Sequence, residues 1–126
     1  MSLVLHPLIA KVDLPALPEQ FQRKAVKLLL GLRDRPEEFV PVELHRTHVG
    51  LDLTGCLALR FGGEAYEDSF RIVFREDADG IYVLAVGERM GSKVYRIAQD
   101  RLRPPLEPKL RRMREWRMSH EVTGRR

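Results

Sequence analysis

Three arginines occupy strand-like positions that place them on the same side of a predicted sheet. Arg60 alternates with apolar residues over 57–61, and Arg71 and Arg75 alternate with apolar residues over 70–75. Side chains of a strand alternate between its two faces, so the three arginines share the face opposite the large apolar residues. Like charges on neighbouring strands repel one another. An anion would relieve that repulsion, and the guanidinium fork suits phosphate. Spacing alone favours solvated arginines on an open sheet, partly paired with nearby glutamates.

The segment after the third apolar run contains further groups that could act on a phosphate or a base. Arg89 follows the end of a predicted central strand, and Tyr95 lies in the first turn of the helix after it. Lys93 lies between them and is a further candidate for binding RNA. A tyrosine close to arginines can stack on a base or transfer a proton. It can also simply cover the start of the helix.

The elements that must position these residues follow from the periodicity of apolar side chains. Residues 3–5 are typical of an edge strand, 8–14 of a short helix, and 33–54 of an irregular loop. Helical spacing over 19–32 and 92–102 predicts two amphipathic helices. Alternation predicts strands at 57–61, 70–75 and 81–87, with a hairpin turn at 77–80. We therefore expect an α/β (α+β) fold, in which N-terminal helices pack on one face of a three- to four-stranded, mainly antiparallel sheet and a helix follows.

The last 24 residues of the chain differ from the rest in charge. Residues 103–126 contain eight basic and three acidic residues, so they account for the whole net charge of +4. Pro104, Pro105 and Pro108 interrupt the chain there. We therefore predict a domain at 1–103 and a basic, partly helical extension at 104–126. An apolar stripe at Leu110, Met113 and Trp116 could dock on the body, or the arginines of 109–117 could contact ribosomal RNA.

Composition excludes several classes of protein. The chain has 126 residues, enough for one ordinary domain, and its single cysteine excludes an internal disulfide framework or a cysteine zinc site. No apolar run approaches the roughly 20 residues of a membrane span, and no signal peptide is evident, so we expect a cytoplasmic location without membrane contact. His45 and His48 could form a local acid/base pair, although surface histidines are commoner, and they are too sparse to indicate a metal site.

Taken together in order, these segments resemble the RelE-type toxins of bacterial toxin–antitoxin systems. Residues 83–95 (VLAVGERMGSKVY) resemble the C-terminal signature of that family, which is an apolar strand, Gly-x-Arg, a polar turn and Val-Tyr entering a helix. Residues 53–60 (LTGCLALR) resemble its Leu-x-Gly followed by a basic strand. Residues 70–74 (FRIVF) resemble its Tyr-Arg-x-x-Tyr strand. The resemblance extends from residue 1 to about residue 102. The family that it indicates is part of the RelE/ParE superfamily.

The resemblance implies roles for four residues. Arg71 matches the arginine that stabilises the scissile phosphate, and Arg89 matches the one that stabilises the transition state or leaving group. Tyr95 matches the tyrosine that stacks on the nucleotide or transfers a proton, and Arg60 falls at a basic position that acts as base or charge stabiliser. The family has a further lysine where this chain has Ala58.

The function implied is that of a ribosome-dependent mRNA endonuclease (an mRNA interferase). The RNA 2′-hydroxyl would attack its own 3′-phosphate, which needs no metal and no cofactor. The implied partners are mRNA on the ribosome and a cognate antitoxin with an acidic and hydrophobic segment. The alternative is a ParE-like DNA gyrase inhibitor or a catalytically weak, binding-only member of the family.

Overall fold

A five-stranded mixed sheet forms the centre of the protein. The computed structural model describes residues 2–45, 50–62 and 69–102. The strands are β1 (Ser2–Leu5), β2 (Val42–Glu43), β3 (Leu57–Phe61), β4 (Phe70–Asp77) and β5 (Gly80–Glu88). Their order is β1-β5-β4-β3-β2, in which β1 pairs parallel to β5 and the other pairs are antiparallel. The fold is therefore α+β, as predicted, with one or two strands more than expected.

Three α-helices and several short turns surround the sheet. A π-helical turn (Ile9–Asp13) continues into the single turn of α1 (Leu14–Ala16), and α2 (Glu19–Asp34) follows. Two 3₁₀ turns, Pro36–Glu38 and Met90–Ser92, precede β2 and α3 (Lys93–Leu102) respectively. No helix in the described part of the chain is both long enough and apolar enough to cross a membrane.

Two features of the segment between α2 and β3 differ from the prediction. A short strand lies within the predicted loop 33–54, because Val42 and Glu43 pair with Ala58 and Leu57 of β3. Two residues are too few to produce a detectable alternation. The helix α2 also ends at Asp34, two residues beyond the predicted range 19–32. Within it, Gly31 lets the Phe39 ring pack so closely that an added Cβ would lie 2.7 Å from its Cζ.

The predicted hairpin joins β4 to β5. One carboxylate oxygen of Asp77 accepts hydrogen bonds from the backbone N–H groups of Asp79 and Gly80, at 2.9 and 3.2 Å. Gly80 has a φ of 153° and lies directly beside β1, where a Cβ would overlap the carbonyl oxygen of Ser2. Glycine at this position therefore allows the N-terminal strand to pair with β5.

The first face of the sheet, which carries the main hydrophobic core, is covered by α2 and the N-terminal turns. Phe70 lies at its centre, with ring centroids 4.8 Å from Phe21 and 5.5 Å from Phe61. The buried members of this core are Ile9, Leu17, Phe21, Ala25, Leu29, Leu32, Leu59, Phe61, Phe70, Ile72, Phe74, Ile81, Val83 and Val86. The parity predicted for β3 and β4 is confirmed, since their large apolar residues all belong to this face.

The second face of the sheet is not the open surface that the sequence suggested. The helix α3 packs on β5 and β4, and Val94 and Ala98 close over Val73, Leu84 and Ala85. A register shift places both Leu84 and Ala85 on this face, since Val73 pairs with Ala85 while Phe74 pairs with Val83. A smaller apolar core therefore separates the arginines at the two ends of the face.

Candidate functional site

The cross-strand pair Arg60 and Arg71 marks one end of the second face. The two residues are direct partners in the antiparallel ladder between β3 and β4, and Arg71 also pairs with Gly87 of β5. Side chains at such partner positions have Cβ atoms about 4.5–5.5 Å apart. The exact register therefore places two permanently charged residues side by side, which the alternation of each strand alone could not establish.

Arg71 is buried although it carries a charge. Only 6 % of its surface is exposed, whereas Arg60 is exposed. One guanidinium nitrogen, Nη1, donates a hydrogen bond to the carbonyl oxygen of Phe70 at 2.9 Å. A buried guanidinium must be well paired, so its orientation is fixed before any ligand arrives. Arg71 thus holds a preorganised positive charge, and Arg60 offers an exposed one on the neighbouring strand.

Arg89 extends the same end of the sheet beyond β5. Its backbone N–H donates to the carbonyl oxygen of Ser69 at 2.9 Å, which ties the end of β5 to the start of β4. Its side chain is exposed. The turn that follows is closed by a 2.8 Å hydrogen bond from the Ser92 N–H to the Arg89 carbonyl oxygen. The backbone therefore fixes the base of the Arg89 side chain and leaves its guanidinium in solvent.

The turn between Arg89 and α3 contains two consecutive left-handed residues. Gly91 has a φ of 65° and Ser92 a φ of 59°. The left-handed conformation is unfavourable for a serine, and such residues persist where the surrounding structure holds them. This turn directs α3 back across the second face, where Val94 lies against Gly87.

Tyr95 and Lys93 enter the site from the first turn of α3. Tyr95 is partly buried against the apolar cluster of the second face, and Lys93 is exposed. A phenol can donate and accept hydrogen bonds, and its ring can stack on a base. Arg60, Arg71, Arg89, Lys93 and Tyr95 therefore lie on elements that meet at one end of the sheet.

Arg75 is not at this end of the sheet. It lies four residues further along β4, about 13 Å from Arg71 at the usual rise of a strand, and pairs with Tyr82. It is exposed near Cys56, whose thiol is buried. Burial raises the pKa of Cys56, an effect that the charge of Arg75 partly offsets. A ligand contacting both Arg71 and Arg75 would have to extend along the edge of the region that α3 covers.

The predicted histidine pair is described only in part, and the predicted extension is not described. His45 is an exposed residue after β2, whereas His48 and the predicted extension 104–126 lie outside the described residues. Within the described ranges, no group of three or more His, Cys, Asp or Glu side chains could hold a metal ion.

Sequence reasoning missed a pair of charged residues beneath α3. Asp13 and Arg101 form a buried, two-pronged ion pair, with distances of 2.7 and 2.8 Å between guanidinium nitrogens and carboxylate oxygens. A signal was present, because Arg101 falls on the same helical stripe as the buried Val94 and Ala98. The next residue, Leu102, also packs against that cluster.

Chemically, the arrangement is suited to binding and stabilising a phosphate. Arginine and lysine can neutralise the charge that develops on a reacting phosphate, and the tyrosine can hold a base or exchange a proton. None of the arginines can act as an effective base at neutral pH.

Comparison with known proteins gives a result for the fold only. No known family model and no curated protein matches the sequence. Among solved structures, the chain is similar to an arginine double mutant of the Escherichia coli toxin RelE in the free state. The two share 17% identity at a TM-score of 0.52, over 80% of this chain and 96% of that one. It is also similar to a chain of the RelBE2 toxin–antitoxin complex of Mycobacterium tuberculosis, with 22% identity and a TM-score of 0.49 over 70% of this chain and 90% of that one. The protein therefore has a RelE-like fold.

Proposed function

We propose that the protein is the toxin of a bacterial toxin–antitoxin pair and cleaves mRNA on the ribosome. The observation that carries the proposal is the direct pairing of Arg60 with Arg71 at the same end of the sheet as Arg89 and Tyr95. Four separate elements contribute to this end of the molecule. Guanidinium groups on such partner positions are suited to bind one phosphate together.

The proposed reaction is an in-line attack of the RNA 2′-hydroxyl on the adjacent 3′-phosphate. A bond forms between the 2′-oxygen and phosphorus, and the bond between phosphorus and the 5′-oxygen breaks. The 2′-hydroxyl passes its proton to water and the 5′-oxygen takes one from Tyr95 or from water, which yields a 2′,3′-cyclic phosphate and a 5′-hydroxyl end. Arg71 and Arg89 stabilise the charge on the phosphorane, and Tyr95 orients the nucleotide or donates the proton to the leaving oxygen.

The position of Ala58 supports slow chemistry without the ribosome. It lies two residues before Arg60, on the same face, and is 2% exposed. The family lysine that the resemblance implies at this position is therefore replaced by a buried methyl group. A site that lacks this group depends more strongly on external positioning of the substrate. The same observation favours the second candidate, a ParE-like gyrase inhibitor or a binding-only member of the family.

Two further parts of the proposal concern partners. The cognate antitoxin would cover the arginines with an acidic and hydrophobic segment and so prevent RNA from binding. The basic residues of 109–117 would add affinity for ribosomal RNA. A chain ending at Arg103 tests the second part: it should fold cooperatively but cleave ribosome-bound mRNA less efficiently at moderate salt. Unchanged cleavage would remove the extension from the proposal.

The central experiment is primer extension on a defined mRNA in a purified translation system, with and without ribosomes. We expect cleavage in the presence of ribosomes, 2′,3′-cyclic phosphate ends, and no cleavage where the scissile nucleotide carries a 2′-deoxyribose. Supercoiling by purified DNA gyrase, measured with the same protein, tests the alternative. Inhibition of gyrase without mRNA cleavage would replace the proposed function by the ParE-like one.

A further inference from the structure

An ion pair joins the N-terminal turn to the last turn of α3, 88 residues further along the chain. The two carboxylate oxygens of Asp13 accept hydrogen bonds from Nη1 and Nη2 of Arg101, at 2.7 and 2.8 Å. The Asp13 side chain is 2% exposed and that of Arg101 is 9% exposed. Two further ion pairs, Arg33–Asp34 and Arg35–Glu38, are at least half exposed. The Asp13–Arg101 pair, in contrast, is shielded from water and has a defined geometry.

The same two side chains also satisfy the backbone of β5 beyond the end of β1. The pairing of β1 with β5 ends at Leu5 and Val83. Past that point, the Val86 N–H donates to Asp13 Oδ2 at 2.9 Å, and Nη1 of Arg101 donates to the Leu84 carbonyl oxygen at 2.8 Å. These bonds lie at the register shift of β5. The ion pair is thus joined on both sides to one fixed stretch of the sheet.

The apolar contacts of α3 with the sheet are poorly directional. Val94 and Ala98 are small, and apolar burial of this kind depends on area more than on orientation. Gln99 of α3 accepts a 3.1 Å hydrogen bond from the Asp52 N–H, but Asp52 precedes β3 and does not belong to β5. Arg101 continues their stripe by one turn, and its planar guanidinium requires a particular direction at each hydrogen bond. Its bonds therefore restrict the rotation and sliding of α3 on β5 more strongly than the apolar contacts do.

The site end of α3 needs such an anchor. The strained residue Ser92 lies between Arg89 and Tyr95, and its left-handed conformation persists only if the segments on both sides are held. Arg89 holds one side through its backbone bond to Ser69. Without an anchor on α3, the turn could relax and Tyr95 would move relative to Arg71 and Arg89.

We propose that Asp13 and Arg101 are positioning residues, which fix α3 on β5 and thereby hold Tyr95 in place against the arginines of the site. The inference rests on the proposed function for its effect on cleavage, whereas its effect on α3 is independent of that function. Neither residue contacts the site, so each would act through the helix.

The test compares Asp13→Asn and Arg101→Lys with the control Asp34→Asn, which removes the charge of an exposed carboxylate paired with Arg33. Asparagine keeps the shape of Asp13 but cannot match both guanidinium nitrogens, and lysine keeps the charge of Arg101 without its planar fork. We expect kcat for ribosome-bound mRNA to fall by about 10²-fold in Asp13→Asn, since small misplacements cost that much, with KM little changed. Arg101→Lys should lose nearly as much, and Asp34→Asn should match the wild type.

Thermal melting distinguishes positioning from stability. All assays are made well below the melting temperature of each variant, so that the folded fraction is equal. A variant that melts earlier but keeps the wild-type kcat would overturn the proposal. Full activity of Arg101→Lys would also overturn it, because a point charge would then suffice.

Hydrogen exchange of the wild-type chain tests the anchor without any variant. The Val86 amide and the amides of α3 should exchange together, because breaking the ion pair releases both. If α3 exchanges much faster than Val86, the pair does not hold the helix and the proposal is wrong. If the wild type cleaves no mRNA but these amides exchange together, the proposed function fails while the anchoring of α3 stands.

Discussion

The two faces of the sheet are built from the same strands but from different kinds of contact. The first face packs aromatic and large aliphatic side chains under α2, and its buried cluster contains no charged residue. The second face packs aliphatic side chains without a buried aromatic ring under α3 and has Arg71 and the Asp13–Arg101 pair at its margins. Large apolar contacts provide most of the stability of a fold. Charged groups fixed at a sheet end provide a place for an anionic ligand.

The two faces therefore have different roles, one in stability and one in function. Burial on the first face holds the strands in register, and that register brings Arg60 opposite Arg71. The second face has less apolar packing and more directional hydrogen bonds from charged groups. These bonds fix side chains relative to one another. Changes on the first face should therefore affect stability, and changes at the site end of the second face should affect function with little loss of stability.

Phe74→Ala should produce the largest effect on stability. The ring is 1% exposed within the first-face core, so truncation leaves a cavity and should lower the free energy of unfolding by about 3–5 kcal/mol. Urea denaturation measures the change. The control is Val40→Ala, whose side chain is 91% exposed and whose effect should stay within about 0.5 kcal/mol. A loss below about 1 kcal/mol in Phe74→Ala would show that this core is loosely packed.

Arg89→Ala should produce the largest effect on function. Its guanidinium is exposed, and its backbone bond to Ser69 survives the substitution, so the fold should remain. Loss of one charge-stabilising donor typically lowers a rate by about 10²–10³-fold. Single-turnover cleavage of ribosome-bound mRNA measures it, with Arg23→Ala on the exposed surface of α2 as the control. Equal rates for the two variants would exclude Arg89 from the reaction.

Salt dependence of RNA binding compares the two ends of the second face. Arg60→Gln should lower the slope of log K against log salt by about 0.7, because one phosphate contact to a single strand is lost. Arg75 lies about 13 Å from Arg71, beyond the apolar cluster under α3, so Arg75→Gln should change the slope less. Its proposed role in RNA binding stays a prediction that this measurement decides. Equal decreases would show that RNA extends along the whole strand.

Burial of the Cys56 thiol should have the smallest of these effects, and it should be visible in the rate of alkylation. Burial raises its pKa, so the folded protein should react with iodoacetamide at pH 8 much more slowly than the urea-unfolded chain. Because the unfolded thiol ionises first, the free energy of unfolding should also decrease slightly as the pH rises above about 8.5. Rapid alkylation of the folded chain would indicate that the second face opens near Arg75.

The sequence was sufficient for the elements whose pattern is local. Alternation in β3 and β4 correctly assigned their large apolar residues to one face, and the spacing of 19–32 correctly predicted most of α2. The hairpin at Asp77 was also predictable from the sequence, because its signal is a carboxylate that accepts hydrogen bonds from nearby backbone N–H groups. The strand β2 was missed, since its two residues are defined only by their partner strand.

The candidate site was predictable residue by residue, but its geometry was not. The sequence identified Arg60, Arg71, Arg89 and Tyr95 by type and by a resemblance. It could not establish that Arg60 and Arg71 are direct partners, that Arg71 is buried, or that Arg75 lies elsewhere. Each of these facts depends on strand register or on the packing of α3, which involve residues far apart in the chain.

The sequence by itself determined the amphipathic elements, because each apolar pattern is carried by the side chains of one continuous segment. Only the tertiary structure decided which face is covered, since α3 begins 20 residues after Val73, the residue that it buries. The same is true of Arg101, whose charge indicates a surface position and whose partner Asp13 lies 88 residues away. A buried charge needs a partner. That partner is close only in the folded structure, so no local sequence pattern can identify it.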